Sequence, residues 1–261
     1  MFDVSRLVPE AQPIAAAAAR VYLQHTGPWF VGLLVHGSAL KGGFIPGCSD
    51  IDMQLFLQNS IFDESGNIPF EITAAIQADL SKIDPAPFQY IQCYPLPEDT
   101  LAGGPTSDYI LVPGTYHILA GTIPRAEATA EQVRAKAVDY MEKMQPIALT
   151  NANHLLQHGG GRLERHVRLL CTNVWPTLYS LLVCTAHDPV EVWQLPKQEA
   201  IALVPEKEAV GRQIRAFYES VWTYYGGGQT VNAALELYRN GSAFLYLAKN
   251  EYLRQTGRAT A

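Results

Sequence analysis

The sequence contains few cysteines, few basic residues and no long hydrophobic run. Its four cysteines form no CxxC pair and have no histidine at zinc-like spacing, so we expect reduced thiols. No segment reaches about 18 uninterrupted apolar residues, the length that a membrane-spanning helix needs. No basic region followed by an apolar stretch and a cleavage site opens the chain. These absences predict a cytoplasmic protein without a membrane partner.

Basic residues are outnumbered by acidic ones. The 261 residues include 19 Lys and Arg against 25 Asp and Glu, a formal charge of −6. Proteins that bind nucleic acids normally present a basic surface, so no nucleic-acid partner is expected, whereas a cationic small molecule would suit this charge. A hydrophobic content of 48% and a charged content of 17% indicate a folded globular protein with one large or two ordinary domains. The oligomeric state is left open.

Strand and helix patterns alternate in the first half of the chain, and only helical patterns follow. Helices are predicted over 11–25 and 71–83, and strands over 29–35, 51–57, 88–94 and, as a hairpin or two short pieces, 109–112 and 116–120. Further helices are predicted over 129–144, 146–158, 162–186, 197–204, 206–225 and 230–255. This order predicts an α/β domain over 1–125 joined to an all-α domain over 126–261.

The most informative stretch, residues 35–57, consists of an apolar strand, a glycine-rich turn and a second apolar strand. Asp50 and Asp52 open the second strand and project to the same side, with Cα atoms roughly 6–7 Å apart. Such a pair can share Mg²⁺, which prefers one or two carboxylates together with waters and phosphate oxygens. Gly37 allows the backbone to approach a phosphate, and Ser38 adds a hydroxyl. The alternative is an Asp-rich turn that only opens a strand.

An ordered set of residues in this stretch resembles the signature of the polymerase-beta-like nucleotidyltransferase superfamily, namely Gly37, Ser38, Gly47, Ser49, Asp50 and Asp52. The chain looks most similar to aminoglycoside adenylyltransferases of the streptomycin/spectinomycin type. That resemblance implies an α+β protein: a nucleotidyltransferase domain with a mixed sheet, followed by a helical substrate-binding bundle. It also implies Mg²⁺ on Asp50 and Asp52, and ATP bound through Gly37, Ser38 and Ser49. The implied reaction transfers AMP to a hydroxyl of a small polar acceptor, such as an aminoglycoside, and releases pyrophosphate.

The resemblance extends into the second half of the chain with fewer matching residues. The matching residues, in the order and approximate spacing of the helical domain of those enzymes, are the segment Glu164-Arg165-His166-Val167, then Trp175 and then Pro196-Lys197. There a lysine after a proline reaches the nucleotide phosphates, which implies that role for Lys197. Pro196 suits the first turn of a helix, and Lys197 would then lie where the helix end and its own ammonium both favour an anion. An ordinary surface lysine is the alternative.

One position departs from the family's pattern. Enzymes of this superfamily usually carry a third carboxylate on a later strand, beside the Asp-x-Asp pair. The predicted strand 88–94 contains Gln89 and Gln92 and no acid. An amide can hold a water or a hydroxyl by hydrogen bonding, but it cannot act as a general base near neutral pH. The nearest acids, in or beside the loop after that strand, are Glu98, Asp99 and Asp108.

This departure leaves alternatives to the transferase. The chain can be a nucleotide-binding protein of the same fold with weak or no transfer activity. It can also be an adenylyltransferase that modifies a protein. Within the site stretch, His36 is interpreted as a residue at the edge of the core rather than as a ligand.

Overall fold

The computed structural model describes residues 2–102, 110–123, 127–150 and 152–257. The chain divides into two compact units, Met1–Ala128 (the first unit) and Thr129–Ala261 (the second unit). Asp108 and the domain boundary predicted between residues 125 and 126 lie outside the described residues.

The first unit contains a mixed sheet, as predicted, and in the described residues this sheet has four strands. Its strands are β1 Phe30–His36, β2 Ile51–Leu57, β3 Ile91–Pro97 and β4 Tyr116–Gly121. They lie in the order β3-β2-β1-β4. Strand β1 is antiparallel to both β2 and β4, whereas β3 runs parallel to β2 and forms an edge of the sheet.

In the described part of this unit the sheet is accompanied by the α-helices α1 Ala11–Thr26, α2 Ser38–Lys41 and α3 Phe70–Leu80. Alternate strand residues point to one face and form a buried cluster with the alanines of α1 and with Ile76 of α3. The small alanine side chains let α1 approach the strands closely. The other face carries a smaller apolar cluster of Leu34, Phe56, Leu111 and Ile123. Polar side chains occupy one end of this second face.

The second unit is helical throughout its described part. Its helices are α4 Ala130–Lys143, α5 Pro146–Leu149, α6 Arg162–Thr185, α7 Pro189–Gln194, α8 Lys197–Ala202, α9 Ala209–Gly226 and α10 Val231–Gln255. Helix α4 begins at a capping box, in which the side chains of Thr129 and Gln132 each accept a backbone N–H of the other. The guanidinium of Arg134 donates to the last carbonyls of α6, at 3.2 Å to Val183 and 3.1 Å to Cys184.

Helix α6 is the central helix of this unit and packs against both α4 and α10. In the part of the chain that the structure describes, it is the one helix long and apolar enough to cross a membrane by length and composition. Most of its apolar window, 61%, is buried inside the protein. Such burial is what the core helix of a helical bundle shows.

Several sequence predictions were wrong in detail. The third strand runs over Ile91–Pro97 instead of 88–94, because the backbone of Pro87 and Gln89 hydrogen-bonds to the loop before β2 and the pairing with β2 itself begins at Ile91. The predicted helix 146–158 is only the short α5 followed by a 3-10 turn at Ala152–Leu156. Residues 110–112 form no strand, so there is no hairpin with β4 in the described residues. Helix α2 was predicted as loop, and α7 was not predicted.

Candidate functional site

The two predicted acids lie at the start of β2, where Asp50 immediately precedes the strand and Asp52 is its second residue. Both side chains are partly buried. Asp52 is the register partner of His36 on β1 and of Gln92 on β3, and His36 is in turn opposite Tyr116 on β4. Residues directly opposite each other share a face of the sheet. A row of four polar side chains therefore crosses the sheet at this end.

The glycine-serine turn begins where β1 ends and faces Asp52. Gly37 has φ 75° and ψ −154°, a backbone conformation open almost only to glycine. A β-carbon on this residue would overlap Oδ2 of Asp52 and would lie 3.4 Å from its Cγ. Ser38 then starts the one-turn helix α2, whose first N–H groups have no partner inside the helix. The Asp52 carboxylate and the turn are thus in direct contact.

Ser49 belongs to the loop that leads into Asp50. Its side chain is buried, and its hydroxyl accepts the N–H of Ile45 at 2.9 Å. Its carbonyl accepts the N–H of Gln89 at 2.8 Å, and the N–H of Gly47 donates to the carbonyl of Pro87 at 2.8 Å. These contacts hold the loop in place and so position Asp50. The predicted contact of Ser49 with a phosphate stays a prediction.

The environment of His36 keeps its imidazole neutral. Burial, followed by the charge of Lys41 at the end of α2, lowers the pKa of His36 to about 4, against a weaker opposing effect of Asp50. The site therefore contains a neutral ring and a nearby ammonium beside the two carboxylates. Sequence reasoning did not single out Lys41, although its position four residues after Gly37 in a glycine-rich turn was a usable signal.

Gln92 lies beside Asp52, where the family resemblance leads one to expect a carboxylate. Its amide is held by two tyrosines, one directly before β3 and one within it: the hydroxyl of Tyr90 donates to Oε1 at 2.7 Å, and Nε2 donates to the hydroxyl of Tyr94. Because alternate residues of a strand share a face, the spacing of two residues brings all three side chains together. The glutamine was recognisable in the sequence as a departure from the family's pattern, whereas the role of the two tyrosines was not predicted.

The acids proposed as substitutes for the third carboxylate are far from the pair. Glu98 and Asp99 follow the opposite end of β3, six and seven residues beyond Gln92, or roughly 20 Å away at the rise of a strand. There the N–H of Asn59 donates to Oε1 of Glu98 at 3.3 Å. Neither acid completes the site, because β3 runs away from it. Among the described residues, no group of three or more His, Cys, Asp or Glu could hold a metal ion.

Asp50 and Asp52 nevertheless suit Mg²⁺ that arrives with a nucleotide. This ion takes one or two carboxylates and fills its other positions with waters and phosphate oxygens. The contact of Asp52 with Gly37 places the carboxylate beside the glycine-serine turn. Two carboxylates suit an ion that takes its other ligands from the nucleotide and from water better than an ion that the protein alone holds permanently.

Lys197 lies in the second unit as the first residue of α8, and Pro196 precedes the helix instead of occupying its first turn. The Lys197 ammonium is 5.6 Å from the ring centroid of Trp175 on α6, a cation–π contact. Its predicted contact with the nucleotide phosphates stays a prediction. On α6, the helix that also contains Trp175, Arg165 is exposed. His166 is buried and stacks on His154, with ring centroids 4.4 Å apart.

A comparison with solved structures finds a known protein of similar fold. Spectinomycin adenyltransferase AAD(9) from Enterococcus faecialis, solved with ATP and spectinomycin, superposes with a TM-score of 0.52 over 89% of this chain and 98% of that chain. The chain has the fold of an aminoglycoside adenylyltransferase. The sequences are 12% identical, so the comparison confirms the predicted fold alone. No family model and no curated protein sequence matches the chain.

Charge is divided unequally between the two halves of this fold. The first unit contains 13 acidic and 5 basic residues, a net charge of −8. The second unit contains 12 acidic and 14 basic residues, a net charge of +2. The acidic character of the chain therefore resides in the unit that contains Asp50 and Asp52.

Proposed function

We propose that the protein is a cytoplasmic nucleotidyltransferase that moves AMP from ATP to a hydroxyl of a small cationic acceptor of the aminoglycoside class, with release of pyrophosphate. The observation that carries this proposal is the contact between the Asp52 carboxylate and Gly37. It brings one of the two acids together with the glycine-serine turn, the two parts that the proposed binding of a metal-bound triphosphate requires. The fold shared with an enzyme solved with ATP and spectinomycin supports the choice of nucleotide and acceptor.

In this proposal the residues of the first unit bind and align the nucleotide. Asp50 and Asp52 would hold Mg²⁺, and the Gly37 backbone and the Ser38 hydroxyl would bind phosphate oxygens, with Ser49 and Lys197 as further predicted phosphate ligands. The bound ion would neutralise charge on the phosphates and on the departing pyrophosphate. The acceptor oxygen attacks the α-phosphorus in line, so the new P–O bond forms as the bond to the β-phosphate oxygen breaks.

The charge of the first unit supports a cationic acceptor. A surface of net charge −8 attracts molecules that carry ammonium groups and repels polyanions. Aminoglycosides carry several ammonium groups, whereas nucleic acids are polyanions. We therefore propose a small-molecule acceptor and no nucleic-acid partner.

Changing the acid pair tests the proposal. The purified protein, with Mg²⁺ and labelled ATP, is incubated with a panel of aminoglycosides, and pyrophosphate release and labelled product are measured. Asp50→Asn and Asp52→Asn should each lower turnover at least about 100-fold while thermal unfolding stays cooperative, because an amide is a poor Mg²⁺ ligand. Asp99→Asn, at the far end of β3, is the matched control and should keep full activity. Unchanged turnover in Asp52→Asn would refute the assignment.

The position of Gln92 favours one second candidate, a nucleotide-binding protein with weak or no transfer activity. An amide beside Asp52 leaves the site without a proton acceptor at that point. A thermal-shift titration with Mg²⁺ and ATP, followed by a search for AMP-modified product, separates the two candidates. Binding without product from any aminoglycoside of the panel supports this second one.

A further inference from the structure

We infer that Gln92 is a positioning residue on the acceptor side of this site: together with Tyr90 and Tyr94 it orients the acceptor hydroxyl by hydrogen bonding and takes no proton from it. The acceptor hydroxyl must therefore be acidic in its own right, as it is beside an ammonium group. This inference rests on the proposed function and narrows its acceptor class.

The register of the sheet places Gln92 next to the reacting groups. Gln92 lies directly opposite Asp52 on the neighbouring parallel strand, at the usual strand spacing of about 4.8 Å, and both side chains are on one face. Strand β3 is the edge of the sheet, so no further strand covers the outer side of Gln92 in the described residues. A hydroxyl that attacks a phosphate held at Asp52 can approach along this edge.

Two phenols fix the orientation of the Gln92 amide. The Tyr90 hydroxyl donates to Oε1, so the carbonyl side of the amide is directed toward the start of the strand, and Nε2 donates to the Tyr94 hydroxyl. An amide has two N–H groups and two lone pairs, so one of each remains after these bonds. The remaining N–H and lone pair can meet a hydroxyl. Tyr94 is 55% exposed and offers an aromatic face to a bound ring.

The chemistry of an amide decides how the acceptor is activated. Gln92 cannot accept a proton at neutral pH, so the proton of the attacking hydroxyl passes to solvent water or hydroxide as the bond to the α-phosphorus forms and pyrophosphate leaves. The reaction rate then depends on the acidity of the acceptor hydroxyl itself. A neighbouring ammonium raises that acidity, and the charge of −8 on this unit favours an acceptor with such a group.

A glutamate at position 92 would fit the same surroundings. Both phenolic O–H groups can rotate, so Tyr90 and Tyr94 would each donate to a carboxylate of almost the same size and shape as the amide. Gln92→Glu therefore adds a base beside Asp52 with little change in packing. Gln54→Glu is the matched control, because Gln54 is two residues after Asp52 on the same strand face and opposite Tyr94.

The test follows pyrophosphate release with spectinomycin, Mg²⁺ and ATP between pH 5.5 and 9 for the parent protein, Gln92→Glu, Gln92→Leu and Gln54→Glu. For the parent we expect kcat/KM to rise with pH without a plateau. Gln92→Glu should reach a plateau above the pKa of the new carboxylate and should exceed the parent at least tenfold at pH 7, toward the lower end of general-base effects. Gln54→Glu should keep the parent profile, and Gln92→Leu should raise KM for spectinomycin at least fivefold.

Three results would overturn the inference. They are a Gln92→Glu profile identical to that of the parent, a parent profile that already reaches a plateau, and an unchanged KM in Gln92→Leu. Calorimetry on the same proteins measures Mg²⁺–ATP binding and so distinguishes a failure of the inference from a failure of the proposed function. If no protein binds ATP or releases pyrophosphate, the proposed function fails, and the inference fails with it. If Gln92→Glu does not fold, Tyr94→Phe carries the test, and it should raise KM for spectinomycin more than it lowers kcat.

Discussion

The carboxylate of Asp52 occupies the space that a side chain on residue 37 would need, so Gly37 and Asp52 are complementary in shape. Two independent features make glycine necessary here: the positive φ of 75° and the overlap of a β-carbon with Oδ2 of Asp52. The first feature concerns the stability of the turn, whereas the second concerns the geometry of the acid pair. Substitutions can separate the two effects, because Gly42 at the end of α2 also has a positive φ but no atom that a β-carbon would overlap.

Gly37→Ala should lower Mg²⁺–ATP affinity at least tenfold, because the new methyl group displaces the Asp52 carboxylate. The control is Gly42→Ala: Gly42 has φ 80° and ψ −173°, but its β-carbon would meet no atom within 4 Å. Both variants should lose about 1–3 kcal/mol of stability from backbone strain. Thermal unfolding and calorimetric ATP titration measure the two effects. Equal affinity in both variants would mean that the contact with Asp52 is not important for binding.

Gly241→Ala should destabilise the helical unit by about 1–3 kcal/mol through overpacking. Gly241 lies on α10 where this helix crosses two neighbours, and an added β-carbon would be 2.8 Å from Cδ2 of Leu170 and 2.9 Å from Cε2 of Phe217. Gly226→Ala, at the last residue of α9, is the control, since its β-carbon would meet nothing within 4 Å. That variant should be neutral or slightly stabilising, because alanine favours helix. Urea unfolding followed by circular dichroism gives both values, and a neutral Gly241→Ala would contradict the close helix packing.

Stability should fall as the pH drops below about 6.5, the ordinary pKa of histidine in an unfolded chain. Burial, followed by the charges of His154, Arg165 and Arg162, lowers the pKa of His166 in the folded protein. The unfolded chain then binds more protons than the folded one below pH 6.5, so folding is progressively less favourable in acid. His166→Leu removes this proton uptake and should show a smaller drop in melting temperature between pH 7.5 and 5.5 than the parent. Identical drops in the two proteins would exclude His166 as a source of the acid sensitivity.

The alternation of apolar and polar residues was sufficient to predict that strands surround the site, but not the exact bounds of each strand. Strand β2 was predicted over the residues where it is found, because its alternating apolar residues pack in one cluster with α1 and Asp52 lies on the other face. The third strand was displaced by three residues, since the backbone bonds of 87–90 to the loop before β2 depend on contacts distant in sequence. The separation of Glu98 and Asp99 from the site follows from the direction of β3, and strand direction cannot be derived from a local pattern.

From the order of residues alone it follows that this chain is an α/β unit followed by helices, and that Asp50 and Asp52 lie at the start of a strand after a glycine-serine turn. Both conclusions follow from short-range rules, the period of side chains along an element and the conformations open to glycine. Three further relationships become visible only in the folded chain: Asp52 lies against Gly37, Gln92 is the neighbour of Asp52 on β3, and two tyrosines hold the Gln92 amide. Those relationships depend on which strands pair, in which direction and in which register. Strand pairing depends on which apolar surfaces are buried across the whole unit, so it cannot be derived from any short segment of the sequence.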